Sequence, residues 1–83
     1  MGYTPDLASV IDAIKVNVVC AEQYGSTMAG RAALRRIERY ETEGSLDADG
    51  LTVLLRSMTT ESKSVRARRE AADGYALCVR HLG

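Results

Sequence analysis

The chain has no tryptophan and no phenylalanine, and only one proline and one histidine. Its four tyrosines are the only aromatic residues. A core must therefore be aliphatic, built from Leu, Val, Ile, Met and Ala. There is no excess of charge: eleven Lys and Arg balance eleven Asp and Glu. Whole-domain basicity is the usual footprint of a nucleic-acid binder, so this balance weighs against that class. The balance also removes the long-range repulsion that keeps copies apart, which favours self-association. No apolar run is long enough to cross a bilayer. Residues 1–6 lack the basic start and following apolar run of a signal peptide. The expectation is a soluble, cytoplasmic protein that does not work at a membrane.

Motifs of catalysis are equally scarce. His81 stands near the end of the chain with no Cys or His partner at ligand spacing. Arg80 and His81 suit the last turn of a helix, where cations complement the dipole. Cys20 and Cys78 match neither a zinc spacing nor a C-x-x-C pair. They read as two reduced, largely buried thiols, with a disulfide between the first and fourth helices as the alternative. Asp47-Ala48-Asp49-Gly50 suggests the centre of a calcium loop. Counted from Ser45, however, the twelfth position is Arg56, where a bidentate carboxylate belongs. Helix capping explains both aspartates. No P-loop, dinucleotide fingerprint or nucleophile elbow is present. The expectation is no enzyme, no metal and no cofactor.

What remains is helical periodicity. Eighty-three residues make one domain, residues 1–83, that buries roughly 60–65% of the surface its unfolded form exposes. The pattern predicts an all-α bundle of about four helices. Thr4 can cap the first, with Pro5 at its first position and Asp6 complementing the positive end. That helix runs to about Tyr24, before Gly25. Leu7, Val10, Ile11, Ile14, Val18 and Ala21 share one face, while Val16, Val19 and Cys20 lie opposite. The β-branched stretch over residues 16–20 also permits a strand. Ser26 or Thr27 caps a second helix that reaches about Glu43, before Gly44. Asp47 caps a third, with Leu46 as staple and Leu51, Leu54, Leu55 and Met58 as its stripe. The fourth starts around Thr60 or Glu61 and reaches about Leu82. Its expected seam is Val65, Ala72, Tyr75, Ala76, Val79 and Leu82, with Gly74 off the seam. Residues 60–63 contain no obvious breaker, so helices three and four can run on as one bent rod.

Arginine outnumbers lysine nine to two. A GC-rich genome accounts for such a bias, and so does planar recognition of phosphate or carboxylate. Arg31, Arg35 and Arg39 recur at i, i+4 and i+8, which stacks them on one edge of the second helix. Ala33, Leu34, Ile37 and Tyr40 fall opposite. With Arg36, these are candidate contacts to nucleic acid or to an acidic partner. Arg66, Arg68 and Arg69 form a second basic patch, in which Arg68 falls inside the apolar stripe and must snorkel, pair or face a partner. Arg35 with Glu38 and Arg39 with Glu43 have the spacing of helical ion pairs.

The pattern Ala21, Gly25 and Leu34 fits a helix-turn-helix unit, while Arg31 and Ser26 stand where apolar residues are usual. Residues 34–44 resemble the segment before the wing of MerR-type regulators, without the rest of that family's DNA-binding domain. The sequence thus points first to a small non-enzymatic regulator of bacterial or phage type that docks onto a protein partner or a second copy of itself. Val16, Val19 and Cys20 are its candidate apolar contacts. A DNA-binding regulator using the second helix is the alternative.

Overall fold

A computed structural model describes residues 6–25 and 28–82. Four helices follow in order: α1 (Leu7–Gln23), α2 (Met28–Glu43), α3 (Ala48–Glu61) and α4 (Val65–His81). The all-α fold expected from periodicity is present, and residues 16–20 are helical rather than a strand.

The helix ends follow from local chemistry. Asp6 caps α1: its extended backbone lets Oδ1 accept from the Ser9 amide at 2.8 Å. The expected roles of Thr4, Pro5, Ser26 and Thr27 lie outside the described residues. Gly44 closes α2 at φ +74°, where an L side chain is strained, and its amide donates to the Tyr40 carbonyl at 2.8 Å. Asp47 caps α3 as expected, accepting from the Gly50 amide at 2.9 Å.

The helices pack as a ring. α1 and α3 each contact both α2 and α4. Lys15 meets Glu41 and Glu22 meets Arg31, so α1 and α2 run antiparallel. Tyr24 meets Arg66 and Asn17 meets Glu70, so α1 and α4 do as well. The molecule measures 37 × 31 × 19 Å between Cα extremes, about two helix layers in its thin direction. Val10, Ile11, Ile14, Val18 and Ala21 from α1 meet Ala33 and Ile37 from α2, and Leu51, Leu55 and Met58 from α3. Leu7, on the predicted inward face, is exposed instead of buried.

Two expectations about the C-terminal half are overturned. α3 and α4 are not continuous, and α4 does not begin at residue 60 or 61. Ser62 ends α3, and the Ser64 hydroxyl starts α4 by accepting from the Arg66 and Ala67 amides at 3.1 and 3.3 Å. The α4 seam is also different. Ala67, Ala71, Gly74 and Cys78 are buried, whereas Ala72, Ala76, Val65 and Val79 face outward. Tyr75 and Leu82, also in the predicted seam, are half-buried against the core. Small residues win because α4 lies close to two helices at once. A Cβ on Gly74 would stand 3.3 Å from the Asn17 Cβ and 3.5 Å from a Leu55 methyl. Their larger partners on α1 and α3 supply the volume.

Candidate docking surfaces

The outer edge of α2 carries the arginine stripe. Ala33 and Ile37 are buried, so Arg31, Arg35 and Arg39, about half a turn away, project from the opposite side. The Arg31 and Arg39 side chains are 76% and 71% exposed. Each is nevertheless near an acid: Arg31 Nε is 4.0 Å from Glu22 and Arg39 Nε is 3.4 Å from Glu43. Arg36 turns toward α3 and donates to Asp47 Oδ2 at 3.3 Å, tying α2 to the cap of α3. The expected Arg35–Glu38 pair does not form, and among the described residues the Arg35 side chain meets no partner. Arg35, Arg36 and Arg39 line a shallow cleft of about 380 Å³ with Ser45 and Asp47. Asp47 stays ionised there, because the Gly50 amide first, and then the Arg36 guanidinium, hold its carboxyl below the ordinary value. An incoming anion therefore meets three guanidinium groups and one carboxylate.

The arginines of the second basic patch have different surroundings. Arg68 reaches back to the Ser62 carbonyl at 2.7 Å and the Lys63 carbonyl at 3.3 Å, so its charge covers the end of α3. Arg66 lies over the Tyr24 ring, 4.8 Å from its centre, and bridges α4 to α1. Arg69 is exposed and makes no side-chain hydrogen bond or ion pair with a described residue.

The apolar surface is larger than the sequence suggested. On α1, Val16 is 61% exposed and Val19 39%, with Cys20 half-buried beside them. On α4, Val65 and Val79 are 65% and 51% exposed, and Ala72 and Ala76 lie between them. Val65, Ala72 and Val79 are seven residues apart, so they form one straight line along the outside of the helix. Sequence reasoning placed this line in the core. The competing signal was Ala67, Ala71, Gly74 and Cys78, at the equally regular spacing i, i+4, i+7 and i+11.

Among the described residues no group of three or more His, Cys, Asp or Glu could hold a metal ion. Both cysteines are free. Burial pushes the Cys78 thiol up to about 11, with a hydrogen bond to Thr52 pulling back in part, so Cys78 is a protonated packing group at neutral pH. Among the described residues, no helix is long and apolar enough to cross a membrane. No family model, curated protein or solved structure matches the chain.

Proposed function

We propose that the protein is a non-enzymatic interaction module, a small regulator that docks onto a protein partner through the outer faces of α1 and α4. One observation carries this reading: after four helices have closed around the core, two of them still present apolar outer faces, Val16 and Val19 on α1 and Val65, Ala72, Ala76 and Val79 on α4. Apolar side chains clustered beside charges are the usual composition of a partner surface. A pull-down from the native host tests it, with wild-type and Val16→Asp/Val19→Asp baits and with and without nuclease. The expected result is a partner captured by the wild type, lost with the aspartates and indifferent to nuclease. Equal capture by both baits would remove the proposal.

The cleft of Arg35, Arg36, Arg39 and Ser45 favours a second reading, a nucleic-acid contact through α2. Neighbouring Glu43 and Asp47 oppose a polyanion there. On this reading, capture is nuclease-sensitive, weakens steeply as salt rises and is abolished by Arg35→Glu with Arg39→Glu. Absence of DNA binding at low salt ends it.

A further inference from the structure

The break between α3 and α4 contains nothing that forbids a helix. Residues 62–64 are Ser-Lys-Ser, and both caps sit in ordinary extended backbone, Ser62 at φ −65°, ψ 139° and Ser64 at φ −91°, ψ 139°. The Ser62 amide already donates to the Met58 carbonyl at 3.3 Å, the bond that a continuing helix makes. The bonds that hold the turn have replacements in a helix. The Arg66 and Ala67 amides, now on the Ser64 hydroxyl, would reach the Ser62 and Lys63 carbonyls that Arg68 covers. One group gains by the change. The Ser62 hydroxyl is buried without a partner in the turn, whereas in a helix it can return to the Met58 carbonyl.

We infer that the chain forms a dimer by exchanging α4. In that dimer α3 and α4 run on as one helix over residues 48–81, roughly 50 Å long at 1.5 Å per residue. The two long helices lie antiparallel, with residues 62–64 of each copy at the two-fold axis. α3 of one copy then rests on α4 of the other in the register it has within one chain. Ala67, Ala71, Gly74 and Cys78 recover their contacts with α1 and α3 across the copies, so the core is conserved and only the turn is remade. A chain with no net charge offers no long-range opposition to its own copy. The inference does not depend on the docking faces of α1 and α4.

Val65→Pro separates the two states. Val65 is the first residue of α4, its side chain is exposed and Ser64 before it is extended, so proline fits the turn. In a continuous helix the same proline loses the bond to residue 61 and clashes with that carbonyl. Light scattering across a dilution series should show wild-type dimer at millimolar concentration. The Val65→Pro chain should stay monomeric with unchanged helix content, its dimerisation weakened at least about a hundredfold for each hinge. A second measurement keeps Val65 intact. Thr52 lies near enough to act on the Cys78 thiol, so Thr52→Cys in a Cys20→Ser background can be bridged to Cys78 when the reduced, unfolded chain is refolded with oxidised glutathione. Refolded when concentrated, this chain should run as a covalent dimer on a non-reducing gel; refolded when dilute, as a monomer. A chain that stays monomeric at millimolar concentration would overturn the inference. So would a dimer whose bridges all lie within single chains, or one that Val65→Pro leaves intact.

Discussion

Gly74 sits where α1 and α3 leave room for little beyond a Cβ. With the Asn17 Cβ and a Leu55 methyl already at contact distance from the missing atom, the site rejects volume. Gly74→Leu should cost about 1–3 kcal/mol, read from the urea midpoint, because overpacking exceeds the helix propensity gained. Cys78 is the complementary case, a polarisable group buried to fill space. In the native protein a thiol reagent should label Cys20 well before Cys78, which should react only on unfolding. Comparable labelling rates would contradict its burial. The pH dependence has a definite sign. Above about 9.0 the unfolded chain releases the Cys78 proton while the fold retains it to about 11. The unfolded state then binds fewer protons, so stability falls as pH rises through that window, and Cys78→Ala should flatten the fall.

At the scale of the helix, caps decide where each element starts. The Asp47 carboxyl is held below its ordinary 3.8 by the Gly50 amide and Arg36, so it binds its proton later in the fold than in the unfolded chain. Its share of stability is present above pH 3.8 and is lost as pH falls through the lower folded value. Acid titration by circular dichroism should show this loss, and Asp47→Asn should make it shallower. That cap was readable in the sequence, as were the inward faces of α1, α2 and α3, because large apolar residues recur there against polar neighbours. α4 was not readable. It has one line of Val and Ala and another of Ala, Gly and Cys, and hydrophobicity alone favours the first. Closeness to two neighbouring helices selects the second, and that is information about tertiary packing. The α3–α4 turn was equally hidden, since serine hydroxyls and Arg68 make it without glycine or proline. Of the candidate contact residues, Val16, Val19, Arg31, Arg35 and Arg39 were placed outward by spacing alone. The inter-helix attachments of Arg36 and Arg66, and Arg68's bonds to the end of α3, depend on where the chain folds back.

At the scale of the molecule, the aliphatic core and the outer valines play separable parts. Leu55 is fully buried among residues of several helices, while Val16 and Val79 are more than half exposed. Val16→Asp and Val79→Asp should each shift stability by no more than about 0.5 kcal/mol, whereas Leu55→Ala should cost about 2–5 kcal/mol. Thermal melts of the three variants would check the contrast. A large loss from either aspartate would mean that its valine supports the fold and is not spare surface. The ring of Tyr24 beneath Arg66 has an optical consequence. The protein has no indole of its own. Any tryptophan emission from an assembly must therefore come from the companion molecule. Tyr24, at the seam of α1 and α4, is placed to pass excitation energy to it, so binding can be followed by fluorescence without attaching a dye.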